Sequence, residues 1–343
     1  MSNVFDRMAS LASFSSTDFD AFFANVPDMN AGEIGAVLGY LLGRLDGADA
    51  AAMISALRER HPQRRIASAD GRPTVNIVGT GGGPSTFNIS TTAAFVVAAA
   101  GAVVVKTGSG ACRSKSGFAD VATRLGTLKV AMPWEEIESI AADVGIVFVP
   151  PSHYPAILGV LEQKLGAPVY RNAANYFNKV GPLLSPVWVD YRFFGANSAS
   201  CMRMLAEACR MLGDVPTTLV SSDDGLDEVS SRGRTALIEL TAGGSQERSI
   251  DPRELGIEPA SWEALRGFEP MAAAQCCERI LAGQGTAAQT DIVCLNAGAV
   301  LASVGLASDP ATGFRTALQT LRGGQALQKM RQLRERVWKC AKN

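Results

Sequence analysis

Two loops almost bare of side chains, each directly following a short apolar strand, constrain this chain more than any other feature. They lie in residues 75–120, VNIVGTGGGPSTFNISTTAAFVVAAAGAVVVKTGSGACRSKSGFAD. The pattern predicts a strand over 75–78, a GTGGG turn, an Ala-rich helix over 90–100, and a second strand over 102–105. That strand runs into Lys106 and the second loop, TGSGACRSKSG. Glycine admits positive φ and close backbone approach. Successive amides in such turns form a concavity for an anion, and a helix N-terminus adds positive potential. A phosphate or diphosphate is the expected guest. Glycine after a strand also makes plain tight turns, and GTGGG fits neither the G-x-x-x-x-G-K-[ST] loop nor a clean G-x-G-x-x-G.

Composition removes several function classes. The 343 residues are 47% hydrophobic, ample for one large core or two lobes. A net charge of −1 creates no global field for nucleic acid. The basic run RQLRERVWKCAKN reads as a solvated helix face. No signal segment is read at the N-terminus, and the longest apolar runs fall short of the ~20 residues of a membrane span. Neither nucleic acid nor membrane is therefore an expected partner. Seven cysteines without a C-x-x-C argue against a disulfide framework or a zinc site and suit the cytoplasm. With only His61 and His153 in the chain, Ser-His-Asp and multi-His metal chemistry are nearly excluded. Anion binding, magnesium and carboxylates are left.

Along the chain, residues 1–70 read as helical. Ser15 and Ser16 would cap a helix over 17–23, and Ile34, Val37, Leu38, Leu41 and Leu42 form one stripe over 31–45. Another helix covers 49–60, and Pro62, Gly71 and Pro73 mark a linker. Strand, loop and helix alternate over 73–128, the mark of a parallel α/β layer. A helix over 133–143, a strand over 145–149 and a helix over 155–165 follow. From 187 the α/β pattern returns, with strands over 218–222 and 235–240. Residues from 267 onward are mainly helical, and 291–305 are apolar nearly all round, hence buried.

The full string GTGG…TFNIST, then K-x-G, then SKSG-x-AD, closely resembles the anthranilate phosphoribosyltransferase family, which shares its fold with the pyrimidine nucleoside phosphorylases. The resemblance continues through NKVGPLLSP (178–186), DDGLDEVS (223–230), ERILAG and DIVCLNAG (291–298), nearly the whole chain. It implies an α/β fold: a small discontinuous helical lobe, and a large lobe whose mostly parallel central sheet is flanked by helices. Residues 1–70 and 133–178 would form the helical lobe, the second stretch on the acceptor side. Residues 71–132 would bind 5-phosphoribosyl diphosphate (PRPP), and 179–343 would carry the metal site. Hinges would lie near 69–73, 129–133 and 172–180, and a homodimer is implied.

The reaction implied is magnesium-dependent transfer of 5-phosphoribosyl from PRPP to a small-molecule acceptor, with release of pyrophosphate. By matching positions, Gly79, Thr80, Gly81, Gly82 and Gly83 would offer amides to the diphosphate. Thr86, Asn88, Ser90, Thr91, Lys106, Gly108, Ser114 and Ser116 would complete the PRPP site. Asp227 and Glu228 would hold Mg²⁺, with the Ser90 hydroxyl as a further ligand, few protein donors being enough for this ion. Thr107, Ser109, His153, Tyr154, Glu162, Lys164, Arg171 and Asn178 would face the acceptor. No acid–base residue is assigned.

The chain departs from the family in its second loop, which reads Lys106-Thr107-Gly108-Ser109-Gly110 where the family has K-H-G-N-R. The aspartate of the glycine loop is missing, and Phe118 replaces a small polar residue. The arginine that pairs with the carboxylate of anthranilate falls at Glu162 or Lys164, and an inserted-looking YRNAANYF precedes Asn178. An arginine–carboxylate pair is bidentate and charge-assisted. Its loss leads to the expectation of another acceptor, such as an amino-sugar or aminocyclitol, although Arg171 could restore a cation and keep anthranilate open. A nucleoside phosphorylase and a non-catalytic PRPP-binding protein are the other classes. All of these readings require Asp227 and Glu228 to fold against the Gly79 turn.

Overall fold

Capped amphipathic helices open the chain in a computed structural model that describes residues 2–108, 115–166, 175–213 and 215–339. They are α1 (Ser2–Ala9), α2 (Ser16–Asn25), α3 (Ala31–Arg44) and α4 (Gly47–Arg60). Ser15 begins α2 with a reciprocal cap: its hydroxyl accepts from the Asp18 amide at 3.2 Å, and Asp18 Oδ2 accepts from the Ser15 amide at 2.8 Å. The stripe predicted on α3 is real. Ile34, Val37, Leu38 and Leu41 are buried, with Leu42 at the edge of the same apolar cluster.

The chain then alternates. In order come β1 (Arg64–Arg65), β2 (Thr74–Gly79), α5 (Ile89–Ala99), β3 (Val103–Lys106), α6 (Phe118–Arg124), α7 (Trp134–Val144), β4 (Ile146–Phe148), α8 (Ile157–Leu165) and α9 (Asn175–Val180). After these follow β5 (Val187–Trp188), β6 (Tyr191–Gly195), α10 (Ala199–Leu212), β7 (Thr217–Ser222), β8 (Thr235–Thr241) and β9 (Gly244–Ile250). Four helices close the described chain: α11 (Pro270–Leu281), α12 (Ala287–Ser303), α13 (Pro310–Arg322) and α14 (Gln325–Lys339).

Seven strands form one sheet in the order β4-β3-β2-β6-β7-β8-β9. It is parallel from β4 through β7, and β8 and β9 are antiparallel. The chain moves outward from β2 to β4 on one side and from β6 onward on the other. The order therefore reverses between β2 and β6, which places a crevice beyond their carboxyl ends. The two strands stay in register from Val75 opposite Tyr191 to Gly79 opposite Gly195, so both end level at that crevice.

Alternation along the strands feeds two apolar cores. Phe193, Val220 and Leu237 join a core with α5, α6, α7 and the C-terminal helices. Phe194, Leu219 and Ile238 join the other, built from α1 to α4, α8, α9 and α10. The hairpin strand β9 was not read from the sequence: GSQERSI is polar and exposed until Ile250, so it carries no apolar period. Its place comes from the ladder to β8. The five described cysteines are buried and free. Among the described residues no helix is long and apolar enough to cross a membrane.

Helix α12 is buried along most of its length, as its all-round apolarity predicts. It crosses α13 where Gly298 meets Gly313. A Cβ at Gly298 would stand 2.3 Å from the Phe314 amide nitrogen, and one at Gly313 would stand 2.1 Å from the Gly298 carbonyl oxygen. On α3, Gly39 has nothing within 4 Å of its would-be Cβ. The expected outcomes are opposite. Gly298→Ala should cost about 1–3 kcal/mol by forcing the helices apart, whereas Gly39→Ala should be neutral or stabilise by up to ~1 kcal/mol through helix propensity. Urea midpoints of the two variants check both signs.

Candidate active site

Two glycine residues end adjacent strands at the crevice, and an acidic turn folds down between them. The loop after β7 carries Asp227 back over Gly79 and Gly195, and Asp227 Oδ2 accepts a hydrogen bond from the Gly81 amide at 2.7 Å. A Cβ at Gly79 would lie 2.1 Å from that carboxylate oxygen, and one at Gly195 would lie 1.6 Å from the Asp227 carbonyl oxygen. One at Gly83 would lie 2.4 Å from the Gly225 carbonyl. These three glycines are needed for space, whereas Gly81 and Gly82, with φ of +66° and +83°, also need the left-handed backbone. Glu228 reaches the other way, to the first turn of α5, where its Oε1 accepts from the Ser90 amide at 3.0 Å. That amide is one of the donors a helix leaves unpaired at its N-terminus.

The acidic turn is held from behind by Asp224, read from the sequence as a turn residue, and by Asn296, which the sequence reading did not assign. Asp224 accepts from the Ser230 hydroxyl at 2.7 Å and from the Leu226 amide at 3.3 Å. Asn296 lies on α12 within DIVCLNAG and grips Val229 on both sides. Its Oδ1 accepts from the Val229 amide at 2.9 Å, and its Nδ2 donates to the Val229 carbonyl at 2.8 Å. A carboxamide within the apolar stretch from Ile292 to Ala302 was the available signal, because a buried amide needs partners.

Lys106 completes the charged cluster. Its ammonium is buried, donates to the Ile77 carbonyl at 2.7 Å and the Ser90 hydroxyl at 3.3 Å, and lies 5.4 Å from the Phe118 ring centroid. Burial pushes it down to about 8, with Glu228 and Asp227 opposing. Burial also pushes Glu228 up to about 8, and the adjacent Asp227 adds to the rise. Asp227 itself is raised, chiefly by burial, with the Gly81 amide opposing. Two crowded carboxylates facing a buried ammonium form a donor set that a divalent cation would relieve. Asp227, Glu228 and the Ser90 hydroxyl offer the hard oxygens that Mg²⁺ prefers, and this ion ordinarily fills its other positions with water and substrate phosphate. Among the described residues no group of three or more His, Cys, Asp or Glu side chains gathers elsewhere as a competing metal site.

The remaining predicted residues sort into those the fold brings to this cleft and those it does not. Asn88 and Ser116 tie the two small-residue loops together: the Ser116 hydroxyl donates to Asn88 Oδ1 at 3.0 Å, and Asn88 Nδ2 donates to the Ser116 carbonyl at 3.4 Å. Thr86 bridges to Arg266, and Thr91 is buried in the first turn of α5. Of the five glycine-turn residues expected to offer amides, Thr80 donates instead to the Gly195 carbonyl at 2.9 Å and Gly81 to Asp227. Those two amides shape the turn. Gly79 lies in the β2 ladder opposite Gly195, and among the described residues no hydrogen bond engages the amides of Gly82 and Gly83. Phe118, which departs from the family's small polar residue, packs against Gly108, whose Cβ would meet the ring at 3.0 Å.

On the acceptor side, Thr107 is buried in a network in which Asn76 Nδ2 donates to Thr107 Oγ1 at 2.9 Å and to Ser185 Oγ at 3.1 Å. Tyr154 hydrogen bonds to Thr107, and burial of its hydroxyl pushes it up to about 12. Asn178 is half-buried on α9. Three others are placed as follows. Glu162 is exposed on α8. Lys164 spends its ammonium on the Pro27 carbonyl and, at 3.0 Å, the Met29 carbonyl, tying α8 to the turn before α3. His153 stacks on Trp134 with ring centroids 4.1 Å apart, and its Nε2 faces the Met132 carbonyl at 2.7 Å. It lines a cavity of about 270 Å³ with Trp134, Arg58, His61 and Ser185, the last of which also joins the Thr107 network. Ser109, Ser114 and Arg171 lie outside the described residues.

A glycine turn at a sheet crevice thus faces a paired acid. The family model "Glycosyl transferase family, a/b domain" matches residues 71–327. Anthranilate phosphoribosyltransferase from Shewanella amazonensis is 37% identical over 307 residues, which is 84% of this chain and 87% of that one. The enzyme of the same description from Chloroflexus aggregans is 34% identical over 299 residues, covering 86% of this chain and 84% of its own length. The crystal structure of anthranilate phosphoribosyltransferase from Thermus thermophilus matches with a TM-score of 0.84 at 26% identity, covering 98% of this chain and 99% of that one. That of Saccharomyces cerevisiae, solved in complex with PRPP and Mg, matches in fold with a TM-score of 0.84 at 21% identity over 98% of each chain. The chain belongs to the anthranilate phosphoribosyltransferase family.

Glu228 generates a pH prediction. Because burial raises its carboxyl from 4.5 to about 8, the folded state keeps a proton in that window that the unfolded chain has lost. Without divalent metal, stability should therefore fall as pH rises from about 5 to about 8. Glu228→Gln should flatten that slope. Thermal midpoints across the window, for both proteins in chelator, check the sign.

Proposed function

We propose that this protein transfers the 5-phosphoribosyl group of PRPP to the amine of anthranilate, releasing pyrophosphate in a Mg²⁺-dependent reaction. One observation carries the transfer chemistry: the acid pair is bonded to the glycine turn through Asp227 and to the N-terminus of α5 through Glu228. That is a single cleft able to take a diphosphate on one wall and its metal on the other. The shared name of the relatives, at up to 37% identity over most of the chain, supports anthranilate as the acceptor. It weighs against the diverged acceptor expected from the altered second loop. A homodimer in the cytoplasm belongs to the same proposal.

In the reaction the bond from C1 to the diphosphate oxygen breaks, the acceptor nitrogen bonds to C1, and the amine loses a proton. Negative charge grows on the departing diphosphate. The amides of Gly82 and Gly83 meet that charge as fixed dipoles that need no reorganisation. Lys106 holds the Ser90 hydroxyl and adds a point charge behind it. Asp227, Glu228 and Ser90 would hold Mg²⁺, which supplies Lewis-acid neutralisation of the leaving group. The paired Asn88 and Ser116 hold the two loops at one spacing, so that both ends of PRPP are gripped at once.

A second reading keeps an acceptor other than anthranilate. What favours it is that Lys164 is committed to backbone carbonyls and Glu162 is itself an acid, so neither offers a cation to a carboxylate. Turnover with PRPP, Mg²⁺ and anthranilate separates the two. The expected result is phosphoribosyl-anthranilate and pyrophosphate, abolished by chelator, with kcat/KM lowered about 100-fold in Asp227→Asn. PRPP binding without any product from anthranilate would favour the second reading. Phosphate-dependent cleavage of a nucleoside would overturn both.

A further inference from the structure

The acid pair outnumbers the one buried ammonium beside it, and a diphosphate brings still more negative charge into the same cleft. Asp227 and Glu228 face Lys106, whose ammonium is already engaged by the Ile77 carbonyl and the Ser90 hydroxyl. A second cation reaches the glycine turn from the opposite side of the crevice. It comes from α9, a short helix whose Tyr176, Phe177 and Val180 are buried in the core built by the N-terminal helices. Between those anchors Lys179 is half-buried, and its ammonium donates to Asn197 Oδ1.

Asn197 is the junction between that ammonium and the turn. It follows β6, one strand over from the turn. Its side-chain amide donates to the Gly81 carbonyl at 2.9 Å, and its backbone amide donates to Thr80 Oγ1 at 3.2 Å. A Cβ on Gly82 would stand 2.9 Å from Asn197 Nδ2, so the carboxamide lies directly against the turn. Lys179 therefore approaches the anion turn through one intervening side chain, and its charge acts on Asp227 together with that of Lys106. An ammonium has three donors on a flexible stem. The hydrogen bond to Asn197 uses one of them.

We propose that Lys179 is a second PRPP-binding cation, carried by a helix of the other apolar core and steered to the diphosphate by Asn197. This rests on the reading of the cleft as a PRPP site. Lys179 then also links α9 to the phosphate-binding turn, so that an anion in the cleft draws the two cores together. The sequence reading placed Asn178 on the acceptor side and passed over its neighbour, because a lysine on a short amphipathic helix reads as a solvated face.

Calorimetric titration of the full chain with PRPP and Mg²⁺, without acceptor, tests this on Lys179→Met, Lys179→Gln and Lys179→Arg. Loss of a charge-assisted contact should weaken PRPP binding about tenfold or more in the Met and Gln variants. Arg should recover most of it, and added salt should weaken the wild type more steeply than the neutral variants. Lys179→Gln retains a donor for Asn197, so a purely structural role predicts that it binds like wild type. Thermal midpoints without ligand report whether the Met variant is folded. If both neutral variants bind PRPP within twofold of wild type, the proposal is overturned and the functional reading stands. A wild type that binds neither PRPP nor pyrophosphate overturns the functional reading, and the proposal with it.

Discussion

The contact between the Asp227 carboxylate and the Gly81 amide, 2.7 Å long, is the constraint on which the rest of the cleft depends. It joins two turns 146 residues apart in sequence. For it to form, two strands must end level and the backbone of one turn must lie against the glycines of the other. Any side chain at Gly79 or Gly195 would occupy the space the acidic turn fills. The bareness of the loop thus has two causes. Part of it suits the anion of the proposed function, and part lets a carboxylate pass over the strand ends.

Electrostatics makes the same cluster costly until it is occupied. Burial raises both acids, Asp227 raises Glu228 further, and Lys106 is pushed down. Unpaired buried charge is expensive, and the metal and phosphate of the proposed function would supply the missing compensation. The support around the acids is correspondingly stiff. Asn296 fixes Val229 on both of its backbone groups, and the Ser222 hydroxyl donates to the Glu228 carbonyl at 2.6 Å. Rigid placement of this kind is what a site built to stabilise growing charge requires.

Much of this was legible in the sequence for identifiable reasons. A strong period located α3, all-round apolarity located α12, turn chemistry located the cap at Ser15, and the strings over 79–120 and 223–230 carried the cleft. The polar strand β9 had no period to show. The acceptor side was the least legible, because it depends on where long side chains point rather than on residue type. Lys164 is a cation at a suitable position that bonds backbone carbonyls instead. His153 was read as facing the acceptor, and its ring is held by Trp134 and Met132. Asn197 and Lys179 went unread because nothing in their local pattern indicates which strand end they face.

The account stands on the glycine turn and the acid pair serving one bound diphosphate. A crystal structure grown with PRPP and Mn²⁺, the latter for its anomalous signal, tests that directly. The account predicts an anomalous peak touching Asp227 and Glu228, with the diphosphate against the amides of Gly82 and Gly83. A peak away from that pair, or a diphosphate bound away from the Gly79 turn, would contradict it.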